Sequence, residues 1–251
     1  MKKVLAALDN SLAAQPVLTT ARALGDLLGA EVEPVHVAGD GDRTARSAAD
    51  AAGLPLHVLE GSTADALLAA ARAEDVEALT IGARNTPGGR RPLGSTALAV
   101  ATSLAKPVVV VPPDASPATT VRRVLVPVEG VSPSLTPRRI VALGEGAEVE
   151  VVVLHVRDEG SLPSFTDQPQ HELVTWEREF LNRYCPWGIG SIRIETRVGR
   201  SEELVPLVAE QANVDLIALG WARALAEGRA PVVRGVLAGG STPVMLVPVE
   251  A

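Results

Sequence analysis

The chain carries one pattern twice, and any fold proposed for it has to satisfy both copies. KPVVVVP near the middle is matched by TPVMLVP near the end, and KKVLAALDN at the start is matched by VRRVLVPVEG at 121–130. Asp9 and Glu129 lie 120 residues apart, His36 and His155 119, Gly82 and Gly220 138, and Pro107 and Pro243 136. The order is kept while the offset drifts, so the copies differ by insertions. The largest follows His155, where Asp158–Gln170 is polar and contains proline, a composition that suits a surface excursion. Such a repeat indicates duplication of one structural unit. The boundary is expected in PPDASPATT, a stretch of linker composition. That gives domains at 1–114 and 121–251 with a linker at 115–120.

Within the first copy, short Val/Leu-rich runs alternate with longer Ala/Leu-rich stretches. Strands are expected at Val4–Leu8, Glu31–Val37, Pro55–Glu60, Glu77–Gly82 and Pro107–Pro112. Helices are expected at Leu12–Leu28, Arg43–Ala52, Ala64–Ala73 and Ser95–Ala105, with Ser62 or Thr63 as cap of the third. Near-continuous apolar strands with helices between them predict a parallel sheet covered on both faces. Two edge strands need pairing or cover. Pro107–Val111 and Pro243–Val247 are expected to pair with each other within the chain, and a further dimer between chains stays open.

The bulk numbers exclude several classes. With 30 acidic against 23 basic residues the net charge is −7, a poor surface for general nucleic-acid binding. Aromatic residues make up 2%, which leaves little for base stacking. No run approaches the ~20 apolar residues of a membrane span. Asp9 breaks the first apolar run too early for a signal peptide. The single cysteine, Cys185, permits no intrachain disulfide and fits a reducing compartment. The expectation is a cytoplasmic protein with neither nucleic acid nor membrane as partner.

Two features carry potential chemistry. In TIGARNTPGGRRPLGSTALAVATSLAKPVVVVP (80–112), a strand ends at Gly82, a Gly/Arg/Asn loop follows, and Gly94-Ser95-Thr96 opens a helix. Free N–H groups and the positive dipole end of a helix start, with two hydroxyls, make a phosphate cradle. Gly-Ser before a helix is equally a common cap. Asp9, at the carboxyl end of the first strand, stands where open α/β sheets bind ligands. It can accept hydrogen bonds from ribose hydroxyls, or cap the first helix.

These residues resemble a tandem universal stress protein of the UspA family. The resemblance covers nearly the whole chain and rests on the first strand with Asp9, the HV ending of the second strand, and Ile81–Val111. It implies two five-stranded parallel-sheet domains of Rossmann-like, adenine nucleotide α-hydrolase-like type, joined as an intrachain pseudo-dimer. It implies ATP as ligand, with magnesium able to accompany it, and at most slow hydrolysis. The family's Gly-x2-Gly-x9-Gly-Ser/Thr pattern falls on Gly82, Asn85, Gly94, Ser95 and Thr96, with Asn85 replacing a glycine and one residue missing before Gly94. Asn tolerates left-handed backbone better than other non-glycine residues. By the same resemblance Asp9 and Val37 contact ribose and adenine, and Arg84 lies close enough to add charge. Arg90 and Arg91 read better as solvated loop residues. Members lacking the pattern often bind no ATP, which keeps a nucleotide-free structural or interaction protein as the alternative.

The second copy departs further. Glu129 replaces the aspartate, Trp221 puts bulk beside Gly220, and Ala230-Pro231 fall where Gly94-Ser95 stand in the first copy. Proline has no N–H to give but starts a helix well. This copy is expected to bind no nucleotide in the same mode. Elsewhere, Trp176, Phe180 and Tyr184 share one helical face with Trp187 nearby, a core or interface pattern. His36, His57, His155 and His171 lack metal-ligand spacing, and a hydrogen-bonded structural role is expected for His36 and His155. Cys185 has no partner that would make it a nucleophile. There is no P-loop and no nucleophile elbow, so no catalytic residue is nominated.

Overall fold

The valine-rich runs become strands in the computed structural model, which describes residues 1–39, 41–84, 92–115, 117–128, 149–157, 191–223 and 230–249. Asn85, Arg90, Arg91, Glu129, His171, Cys185, the excursion after His155 and the aromatic cluster at 176–187 lie outside the described residues. The first half runs β1 (Lys3–Ala7), α1 (Ala14–Leu28), β2 (Glu31–Val37), α2 (Arg43–Ala51), β3 (His57–Leu59), α3 (Thr63–Ala71), β4 (Val76–Gly82), α4 (Ser95–Ser103) and β5 (Val108–Val111). The described part of the second half contains β6 (Arg123–Val128), β7 (Glu150–Arg157), β8 (Ser191–Val198), α5 (Ser201–Gln211), β9 (Leu216–Trp221), α6 (Pro231–Gly239) and β10 (Val244–Pro248).

The strands form one ten-stranded sheet in the order β3-β2-β1-β4-β5-β10-β9-β6-β7-β8. Read inward from its own edge, each half has the same order, and every pairing within a half is parallel. The seam is antiparallel: Val244 faces Val110, Met245 faces Val109 and Leu246 faces Val108. The expected pairing of the two final strands therefore holds, over a shorter span than 107–111 with 243–247. An antiparallel seam between halves of mirrored order places them about a pseudo-twofold axis. It also hides the two strand edges that would otherwise stand open.

All six seam residues are buried. Because side chains alternate across a strand, each half contributes to two apolar layers, one per sheet face. One layer holds Leu5, Leu79 and Val110 together with Leu125, Ile217 and Leu246. The other holds Val4, Ala78 and Val109 together with Val126, Ala218 and Met245. Both layers thus run across the seam, and the halves share their core.

Element ends follow local chemistry. α1 stops at Gly29, whose φ of 59° is left-handed and suits a residue without Cβ. It starts at Ala14 rather than Leu12, because the Asp9–Ser11 turn holds the N–H of Ala13 on the Ser11 hydroxyl. β3 is shorter than the expected 55–60. It pairs only through His57–Leu59, and a short edge strand is one way to avoid edge-to-edge association. Ser62 is the N-cap of α3, but its hydroxyl donates to Asp65 instead of accepting a backbone N–H. Among the described residues no helix is long and apolar enough to cross a membrane.

Candidate functional site

In the first half the strand order reverses direction between β1 and β4, and a crevice opens at their carboxyl ends, where open α/β sheets bind ligands. It is a cavity of about 500 Å3, within the range of small-molecule sites. Asp9, Val37, Gly82, Arg84, Gly94, Ser95 and Thr96 all line it. These are all the nominated residues except Asn85, which lies outside the described residues.

Asp9 follows β1 and is half-buried. Its Oδ1 accepts from the Ser11 N–H at 3.0 Å and from the Ser11 hydroxyl at 2.6 Å. The carboxylate therefore fastens the turn before α1, whose own N-cap, Ala13, makes no side-chain cap. One oxygen is held in place, which orients the group and leaves Oδ2 for a ligand hydroxyl. The two roles considered for Asp9 are compatible.

The opposite wall is the start of α4. Gly94 is the N-cap, with φ −61° and ψ 154°, and no side chain caps the helix. The Gly94 N–H donates to the Ala83 carbonyl at 2.8 Å, which brings the strand end and the helix start together. A Cβ on Gly94 would stand 3.4 Å from that carbonyl oxygen, and one on Gly82 3.4 Å from the Ala13 methyl. Both distances are ordinary van der Waals contact and neither backbone is left-handed, so the fold itself would admit a methyl at either position. The uncapped first turn of α4 keeps its N–H groups and dipole directed at the crevice.

Sequence reading missed part of the lining, including His36, Thr63, Leu67 and Ile81. Thr63 and Leu67 stand four apart on α3, so one face of that helix meets the cavity. His36 was read as structural, and it is firmly held. Its Nδ1 lies 2.8 Å from the Leu8 carbonyl oxygen and its Nε2 2.9 Å from that of Gly41. The Gly41 oxygen also accepts from the Asn10 amide at 2.6 Å, and Asn10 Oδ1 accepts from the Thr44 N–H at 3.1 Å. Loop and turn are thereby tied together at the rim. Beside them, the Arg46 guanidinium that bonds Asp42 holds its carboxyl below the usual range.

The matching end of the second half is built differently. α6 does start at Pro231, which supplies no N–H, and its N-cap Ala230 is left-handed at φ 49°. Trp221 does not lie in the ligand's approach. It shares strand parity with Ile217 and Leu219, is 1% exposed, and belongs to the apolar layer that crosses the seam. Its indole N–H donates to the Ala101 carbonyl of α4 at 3.0 Å. The sequence placed its bulk at a ligand mouth, whereas the structure makes it a bolt between halves.

A family model, that of the universal stress protein family, matches residues 40–112 and again 120–248. The chain belongs to the universal stress protein family. As a tandem universal stress protein it also superposes over its full length on solved structures. A Pseudomonas aeruginosa chain assigned to the same family shares 14% identity at a TM-score of 0.69, over 99% of this chain and 93% of the other. A universal stress protein from Archaeoglobus fulgidus shares 17% identity at 0.63, over 98% of each. The cytoplasmic domain of a prokaryotic cation chloride cotransporter shares 8% identity at 0.58, over 98% of this chain and 94% of the other. Identities this low speak to the fold alone, which serves more than one context. No curated protein matches the chain.

His155, the counterpart of His36, is expected to make the fold less stable in acid. Burial is the main cause that pushes its imidazole below the ordinary 6.5; the Val128 carbonyl opposes the shift and the Arg157 charge adds to it. A folded state that resists protonation loses stability as the pH falls through the unfolded value, since the unfolded chain then binds more protons. The urea midpoint is expected to fall between about pH 7.5 and pH 5, with a shallower fall in His155→Gln. Equal slopes for wild type and variant would assign the acid sensitivity elsewhere.

Proposed function

We propose that the first half binds an adenine nucleotide, ATP, as a held ligand in the crevice between β1, β4 and α4. The observation that carries this reading is the convergence of Asp9, Gly82, Gly94, Ser95 and Thr96 on one cavity of about 500 Å3. The adenine would lie on the apolar side with Val37 and Leu67. Asp9 Oδ2 would accept from ribose hydroxyls. The phosphates would take the N–H groups and hydroxyls at the start of α4, a common anion site. A magnesium ion, where present, would be held chiefly by phosphate oxygens and water.

Binding is favoured over turnover by the state of the lining bases. Asp9 Oδ1 is engaged by Ser11, its Oδ2 goes to the ribose in this reading, and both His36 nitrogens face carbonyl oxygens. Neither stands ready to activate a water among the described residues. For the second half we infer a supporting role, because Pro231 removes an N–H where the first half offers Ser95.

Calorimetry with ATP on nucleotide-stripped protein tests the proposal. One saturable site is expected. Asp9→Ala should weaken it by about 1.5–3 kcal/mol, the usual worth of a hydrogen bond to a charged group, or about 10- to 150-fold. No heat at millimolar ATP would remove the reading, whereas unchanged affinity in Asp9→Ala would remove only the ribose assignment.

A further inference from the structure

The chain on either side of Asp9 is tied back to β2 and the loop that follows it. The ladder between β1 and β2 ends at the Ala7–Val35 pair, and beyond it the Leu8 N–H still donates to the Val35 carbonyl at 2.8 Å. The Leu8 carbonyl oxygen faces the His36 ring, 2.8 Å from Nδ1. The other ring nitrogen, Nε2, lies 2.9 Å from the Gly41 carbonyl oxygen. That same oxygen accepts from the Asn10 side-chain amide at 2.6 Å. These contacts form a circuit from Leu8 through His36 and Gly41 to Asn10, and Asp9 is the residue between its two ends.

Each part of the circuit is anchored. The His36 ring is 7% exposed and its contact with Leu8 is buried, so packing locks it. Gly41 reaches its position with φ 103°, a backbone that glycine adopts readily. At the exposed end, Asn10 Oδ1 accepts from the Thr44 N–H at the start of α2. The main chain of Asp9 is therefore fixed on both sides, while Ser11 holds its Oδ1. An acceptor ordered before the ligand arrives loses less freedom on binding than one that the ligand must order.

We propose that His36 is the positioning residue for Asp9: by holding Leu8 and Gly41 it preorganises the carboxylate for ribose hydroxyls, and so sets the preference of the crevice for ribonucleotides over nucleotides that lack those hydroxyls. This rests on the nucleotide reading and goes beyond it, since it makes sugar selection depend on a ring that turns both nitrogens to the backbone. His36 lines the same cavity as Asp9, yet it acts on the sugar only through the carboxylate. Its loss is therefore felt by a ligand with ribose hydroxyls and not by one without them.

Calorimetry on the full, nucleotide-stripped chain compares ATP with 2′,3′-dideoxy-ATP. Wild type should bind ATP at least about tenfold tighter, the lower end for a hydrogen bond to a charged group. His36→Leu keeps the bulk and removes both nitrogens. It should weaken ATP by about 3- to 10-fold, the cost of ordering a freed side chain on binding, and leave dideoxy-ATP within about twofold. In an Asp9→Ala background the same change should alter ATP affinity by less than about twofold, because residues that act as a unit do not add. Equal weakening of both nucleotides by His36→Leu, or its full cost in the Asp9→Ala background, would leave His36 a structural tie only and overturn the proposal. If His36→Leu misfolds by circular dichroism, Asn10→Ala decides, since its bond to Gly41 is exposed. That variant should lower the preference for ATP over dideoxy-ATP, and an unchanged preference overturns the proposal. A wild type that binds the two nucleotides equally overturns it while the nucleotide reading stands, whereas no heat with ATP removes both.

Discussion

Trp221→Ala is expected to lower the free energy of unfolding by about 3–5 kcal/mol, the usual result of truncating a fully buried tryptophan. The whole stability of a domain is about 5–15 kcal/mol, so this is a large share. Two losses combine. The indole leaves the apolar layer that both halves share, and the surroundings cannot fully collapse into the space. The Ala101 carbonyl also loses its donor, and a buried acceptor without a partner costs about 1–3 kcal/mol. Trp221→Phe separates the two, because it keeps most of the bulk and removes the N–H. Its expected cost is about 1–3 kcal/mol. Urea unfolding followed by circular dichroism gives both values. A deficit below about 1 kcal/mol in Trp221→Ala would mean that the indole does not join the halves.

Trp221 also shows where sequence reading stops. Its parity with Ile217 and Leu219 was legible, since residues two apart in a strand share a face. What lay across from that face was not. Ala101 is 120 residues away, and it comes within reach only because β5 and β10 pair antiparallel. Local patterns do not encode such a partner. The strands themselves were easy: VVVV at 108–111 and VMLV at 244–247 are too apolar to stand anywhere but in a buried sheet. The edge strand was harder, because the length of β3 is set by how far it pairs with β2, through His57–Leu59 only.

The site was legible to a similar depth. Asp9, Gly82 and Gly94-Ser95-Thr96 were visible because turn and cap chemistry is local. His36 as a cavity residue was not, since its partners are the carbonyls of Leu8 and Gly41, and a backbone acceptor leaves no mark on residue type. The role of glycine was also only half readable. Gly94 could have served a left-handed turn or a close approach, and its φ of −61° with a 3.4 Å clearance to the Ala83 oxygen shows that the chain itself requires neither.

The seam gives the other large effect. Met245 faces Val109 at the middle pair of β10 and β5, and both are buried in a layer drawn from the two halves. Met245→Asp puts a carboxylate there with no described cation among its seam partners. A fully buried carboxyl shifts upward by about 3–5 pKa units, equivalent to about 4–7 kcal/mol once the pH has passed the folded value and to about 4 kcal/mol at pH 7. Because the folded value is the raised one, the loss is smallest below about pH 4, where both states are protonated, and grows as the pH rises toward the folded value. Urea midpoints between about pH 4.5 and pH 8 should therefore diverge from wild type with increasing pH. Met245→Asn should carry a deficit nearly independent of pH, about 1–3 kcal/mol, and Met245→Leu less than about 1.5 kcal/mol. Since both apolar layers cross the seam, the halves should lose structure together. A Met245→Asp protein that unfolds in two steps, the second at the wild-type midpoint, would instead show that each half folds alone and that the seam only docks them.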